Sequence, residues 1–165
     1  MFFNSLERCL HIHMGRIEKR RNIPMLDKRE TTGRDAKTIL LRIQNSEDRE
    51  RLYSFLSYDD YRVLIADNLL TLIEYLNNCR IDLFISEAEC PDIAMDELLS
   101  YLRKKYFDIK IIITTREYSP ELELKLRPFK LLYIMAWPIN FELLQSIITR
   151  GLETESAAVA CAGAY

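Results

Sequence analysis

From Lys37 onward the chain alternates short apolar runs with longer stretches whose apolar residues recur at helical spacing. The runs are TILLRI (38–43), YRVLIA (61–66), DLFIS (82–86), IKIIIT (109–114) and LLYIMA (131–136). They are rich in Ile, Leu and Val and lack clean polar alternation, which predicts strands buried on both faces. The helical stretches are SEDRERLYSFLS, NLLTLIEYLNNC, MDELLSYLRKKY, SPELELKLRPF and NFELLQSIITRGL. Ser46 and Asn140 are placed to cap the first and last, with Glu47 and Glu142 in the turns that follow. One stretch fits poorly: ELELKL at 121–126 has a period of two. The fourth helix is therefore expected to be short, distorted or replaced by an extended segment; as a helix it opens at Pro120 and ends by Arg127 because Pro128 cannot continue it. Five β-α units in succession predict an α/β, flavodoxin-like (βα)5 three-layer sandwich around a parallel five-stranded sheet of order 2-1-3-4-5.

Composition divides the chain further. Residues 1–37 carry nine Lys and Arg against five Asp and Glu, whereas 38–165 carry fourteen against twenty. Residues 1–36 show no sustained period and read as a basic, disordered leader, with Met14 and Met25 as alternative starts inside it. Residues 37–152 form the predicted domain, and 153–165 read as a small-residue tail. No apolar run approaches the roughly 20 residues of a membrane span, and no secretory pattern opens the chain, so a cytoplasmic protein is expected. Cysteines 9, 79, 90 and 161 show no CxxC pairing, which suits reduced thiols.

Ligands of an open α/β sheet collect at the carboxyl ends of its strands. Here that rim comprises Ile43, Gln44 and Asn45, then Glu87 to Glu89, then Thr114 and Thr115, then Trp137 and Pro138. Residues 38–150 contain no glycine, which excludes GxGxxG and P-loop phosphate cradles, and no histidine, which excludes Ser-His and Cys-His nucleophile pairs and ordinary zinc sites. Cys9, His11 and His13 supply only three local ligands, so neither a metal nor a cofactor is expected. A nucleic-acid adaptor working through Arg16, Lys19, Arg20 and Arg21 is the weaker alternative; it requires salt-sensitive binding that disappears when residues 1–36 are deleted.

The IDLFISE segment with its following CP, the KIIITTR segment and AWPINFELLQSI, in this order and spacing, resemble the receiver domain of bacterial response regulators over about residues 37–152. That resemblance implies a site where an aspartate ending strand three accepts a phosphoryl group. Two acidic residues after strand one hold magnesium there, supported by a Thr or Ser after strand four and a Lys after strand five. Matched position by position, the acidic pair falls on Ile43 and Gln44, or on Gln44 and Asn45 one residue along, neither with a carboxylate; the acceptor falls on Glu87, the hydroxyl on Thr115, and the lysine on Trp137 before a retained Pro138. The resemblance thus implies a pseudo-receiver lacking the phosphorylation site. Magnesium leans on carboxylates, and phosphoryl transfer needs cations against its developing charge. Glu87 is expected to present a permanent carboxylate that accepts a hydrogen bond from Thr115, and Trp137 to plug the pocket. The resemblance also implies a cis peptide between Trp137 and Pro138.

The same likeness points to a partner surface on helix four, strand five and helix five, carrying Leu122, Leu124, Leu126, Tyr133, Ile134, Leu143 and Ile147. Ile134 replaces the aromatic that the family uses as a switch. The expected function is a phosphorylation-independent protein-binding module in bacterial signal transduction, not an enzyme, whose partner is a kinase, a regulator or a second copy of the chain. The rival is an atypical receiver that still binds a divalent ion or phosphoryl group at Glu87.

Overall fold

The structure is a computed structural model that describes residues 36–59 and 61–160. The leader features, including Cys9, His11, His13 and the basic residues 16–21, lie outside the described residues, as does Cys161. The elements run β1 (Thr38–Arg42), α1 (Ser46–Ser57), β2 (Arg62–Ile65), α2 (Leu69–Asn78), β3 (Leu83–Glu87), α3 (Met95–Lys105), β4 (Lys110–Thr115), α4 (Pro120–Leu126), a 3-10 turn (Arg127–Phe129), β5 (Tyr133–Ala136) and α5 (Phe141–Ala160). All strand pairs are parallel, in the order β2-β1-β3-β4-β5. This is the predicted flavodoxin-like topology.

Two-sided burial holds for the central strands only. Every residue of β1 is buried, and β3 and β4 nearly match it, but Arg62 in β2 and Tyr133 and Ala136 in β5 are exposed. Both are edge strands with one neighbour, so the covering helices shield less of them. On one face, Ile39, Leu41, Ile43, Leu83, Ile85, Ile112 and Met135 pack against Leu52 and Leu56 of α1 and Leu144, Ile148 and Leu152 of α5. The pleat turns Leu40, Phe84, Ile111 and Ile113 to the opposite face, toward α2, α3 and α4.

The cap of α1 is not Ser46. Asn45 takes extended backbone angles and its side chain accepts from Asp48 N at 3.1 Å, which leaves Ser46 as the first helical residue. Asn140 does cap α5, accepting from Leu143 N at 3.0 Å. The α4 segment is a helix of seven residues, capped by Ser119 and opened by Pro120. Its period of two follows from its exposure: Leu122 and Leu126 are one turn apart and turn inward, while Leu124 faces solvent. Helix α5 continues to Ala160, into the segment read from sequence as a tail. Leu, Glu and Ala make up six of residues 152–160, and no Gly or Pro interrupts them.

Below the sheet, Arg103 joins three segments. Its Nε donates to Phe129 O at 2.6 Å, Nη1 to Phe107 O at 3.1 Å and Ile109 O at 2.8 Å, and Nη2 to Lys130 O at 3.0 Å. Burial pulls its pKa below the ordinary arginine value. Lys130, which closes the 3-10 turn, has φ 50 and sits in the left-handed region, where a Cβ crowds the following carbonyl. Lys130→Gly is expected to raise stability by about 0.5 kcal/mol, measured as an upward shift of the urea midpoint.

Candidate functional site

The carboxyl ends of β1, β3, β4 and β5 bring the predicted rim together, but with different contacts from those expected. Glu87 ends β3 half-buried, and its carboxylate accepts the backbone N–H of Gln44 at 2.9 Å. The Gln44 residue is exposed, while Ile43 is 2% exposed and belongs to the core between the sheet and α1 and α5. One of the two positions matched to the acidic pair is therefore packing, and the other serves Glu87 through its backbone.

Thr115 does not donate to Glu87. Its hydroxyl donates to Glu117 O at 3.0 Å and accepts from Glu117 N at 3.2 Å, inside its own loop. The register explains the correction: Glu87 is the cross-strand neighbour of Thr114, so alternation turns Thr115 to the other face of the sheet.

Trp137 is half-buried on the α1 and α5 core, and its peptide bond to Pro138 is cis, as the resemblance implied. The Arg116 guanidinium lies over the indole with its carbon 5.8 Å from the ring centroid, and it is also paired with the Asp48 carboxylate of α1. Asp48, Arg51, Arg116, Trp137, Pro138 and Phe141 line an open groove of about 400 Å³ beside this stack. A cation does stand at this corner, but it comes from the β4-α4 loop and is already held by a carboxylate and a ring. Sequence reasoning missed it because Arg116 and Asp48 lie 68 positions apart.

A second ionic group lies under the rim on the opposite face of the sheet. Arg42, the last residue of β1, has a fully buried side chain paired with Asp92. The other carboxylate oxygen of Asp92 accepts Leu69 N at 3.0 Å at the start of α2. Arg42 Nε and Nη1 are buried without a protein partner among the described residues. Next to them Cys90 Sγ donates to Glu87 O at 3.4 Å and lies 3.8 Å from Ser86 Oγ. Burial pushes the Cys90 thiol up, with the Arg42 charge acting in the opposite direction. The sequence did carry a signal for this group: one arginine inside TILLRI, a run otherwise read as buried on both faces, requires a partner.

Among the described residues no cluster of three or more His, Cys, Asp or Glu side chains is placed to hold a metal ion. At the rim Glu87 is the carboxylate facing Gln44, and the residues at the former acidic positions add none. Among the described residues no helix is long and apolar enough to cross a membrane.

A five-stranded parallel sheet of this order, with its polar rim at the carboxyl strand ends, defines a receiver-type flavodoxin-like fold. The solved structures it is similar to are response-regulator receiver domains. The signal receiver domain of an HD domain-containing protein from Pseudomonas fluorescens is 22% identical, with 74% of this chain and 99% of that one covered and a TM-score of 0.69. A CheY-like receiver domain protein from Methanospirillum hungatei is 21% identical, with 75% and 99% covered and a TM-score of 0.69. The Vibrio cholerae chemotaxis protein CheY4 is 22% identical, with 72% and 100% covered and a TM-score of 0.66. No protein-family model matches the sequence, and no curated protein matches it.

Proposed function

We propose that this chain is a phosphorylation-independent, receiver-like module of bacterial signal transduction that works by docking to a protein and not by catalysis. The observation that carries the reading is the state of the rim. Ile43 is consumed by the core, Gln44 offers Glu87 its backbone N–H, and Arg116 is held between Asp48 and the Trp137 ring. Among the described residues such a rim lacks the carboxylate pair that magnesium leans on and a free cation to meet the equatorial oxygens of a phosphoryl group. Glu87, fixed by Gln44 N, supplies a permanent negative charge at the acceptor position and supports a single constitutive state. Trp137 supports the same reading, because the position matched to the family's lysine carries a half-buried indole packed on the core, which brings no charge.

The direct test is incubation with a small-molecule phosphodonor and magnesium, followed by intact mass, with Glu87→Ala as control. No added phosphoryl mass is expected; a Glu87-dependent gain would overturn the proposal. Titration with magnesium alone gives an independent check. Trp137 is the only tryptophan of the chain, and its fluorescence is expected to stay flat across millimolar magnesium.

The docking surface we assign is the α4, β5 and α5 face. Leu124, Tyr133 and Leu143 are exposed there, with Leu122, Ile134 and Ile147 half-buried beside them. Ile147 packs partly on the core, so it contributes its outer edge only. The directly measurable partner is a second copy of the chain. Sedimentation of the intact protein is expected to show concentration-dependent dimers that Leu124→Asp with Tyr133→Asp weakens at least tenfold, without lowering the melting temperature. Unaltered self-association in that variant would remove this face from the interface.

A further inference from the structure

The Arg42, Ser86 and Cys90 group plays no part in the rim's hydrogen bonding of Glu87 by Gln44, yet it joins three unusual features. Arg42 is a fully buried cation with two donor nitrogens that have no protein partner among the described residues. Ser86 is its cross-strand neighbour in the sheet register and lies on the same face. The Ser86 hydroxyl is 3.8 Å from Cys90 Sγ, and the guanidinium itself reaches Asp92, two residues beyond the thiol. Ser86 is thus a neighbour of both the cation, across the strand pair, and the thiol, and the Arg42 charge acts on that thiol. The group is open on its other side, because Cys90 is half-buried and lines a groove of about 490 Å³ with Ala88, Pro91, Met95, Leu122 and Lys125.

We propose that Cys90 is an oxidation site, at which hydrogen peroxide entering from this groove converts the thiol to a sulfinate that the Arg42 guanidinium holds. In the first step the sulfur attacks one peroxide oxygen, the O–O bond breaks, and the other oxygen leaves as water, giving the sulfenic acid. A second peroxide repeats the step and gives the sulfinic acid, again with loss of one water. A sulfinic acid is a far stronger acid than a thiol. It releases its proton to solvent, and the resulting anion lies beside a guanidinium that already has donors to spare. Each anion on the path, thiolate first and sulfinate last, is countered by Arg42. Burial holds the resting thiol protonated, so the reaction is slow at neutral pH and accelerates as pH rises. The product adds a negative charge to the β3-α3 loop, three residues after Glu87. This inference stands independently of whether Glu87 accepts a phosphoryl group.

The experiment treats the full reduced chain with hydrogen peroxide over a pH series and follows each cysteine by peptide mass, with Cys90→Ser confirming the assignment. Cys79, also half-buried, is the internal reference. The Cys90 peptide is expected to gain two oxygens, at a rate that climbs with pH and falls about tenfold in Arg42→Met at neutral pH. Trp137 fluorescence verifies that the variant is folded. Cys90 left intact at the alkaline end of the series, at peroxide levels that oxidise Cys79, overturns the proposal without recourse to any variant. An unchanged Cys90 rate in folded Arg42→Met also overturns it.

Discussion

Arg103→Ala is expected to destabilise the protein by about 3 kcal/mol, because a charged donor bonded to backbone carbonyls is worth roughly 1.5–3 kcal/mol and several such bonds are lost together. The four acceptors belong to Phe107, Ile109, Phe129 and Lys130, so one guanidinium ties the end of α3 to the start of β4 and to the 3-10 turn. Ile109 is itself buried, so its carbonyl has little access to solvent as a substitute donor. Arg103→Lys is expected to recover less than half of the loss, since an ammonium on a flexible stem cannot reproduce the planar fork. Urea denaturation of the two variants measures both effects. A loss below about 1 kcal/mol for the alanine variant would mean that solvent replaces the clamp without strain.

The second large effect is an asymmetry across the Arg42 and Asp92 pair. Asp92→Ala is expected to cost about 3 kcal/mol, because it strands a fully buried cation and also removes the acceptor of Leu69 N at the start of α2. Arg42→Met is expected to cost clearly less, because its flexible thioether covers the aliphatic part of the arginine stem and needs no partner. Asp92 is then left 34% exposed, still bonded to Leu69 N and able to reach solvent. In the double-mutant cycle, Arg42→Met is expected to rescue most of the Asp92→Ala loss. Equal costs for the two single variants would show that the arginine, too, is supported by contacts other than Asp92.

The two faces of the molecule differ in how far their chemistry could be read in advance. The fold was legible because each run of apolar residues reports its own period, and the succession of strand and helix periods admits few topologies. Composition made the exclusions legible as well, since a stretch without glycine or histidine cannot host the commonest phosphate cradles and nucleophile pairs. The position of Glu87 at the end of β3 followed from the same counting. Its partner did not. Thr115 was the expected donor, yet Glu87 is paired with Thr114 across β3 and β4, and strand alternation turns Thr115 to the other face. The first cap moved from Ser46 to Asn45 for a related reason: both residue types cap helices, and only the backbone angles decide between neighbours.

From the sequence alone came a parallel sheet of order 2-1-3-4-5 and the short segment between Pro120 and Pro128, and the resemblance added the cis peptide before Pro138. The sheet and the segment depend on periods, spacing and residue type within a few positions. The tertiary structure decided which charges meet: Arg42 with Asp92, Arg116 with Asp48 and Trp137, Arg103 with four carbonyls, and Glu87 with Gln44 N. Several of these partners lie 26 to 68 positions apart in the chain, and side-chain direction at each depends on strand register and pleat. Hydrophobic periodicity is a local property of the chain, whereas charge pairing is fixed only when distant segments are brought to one place.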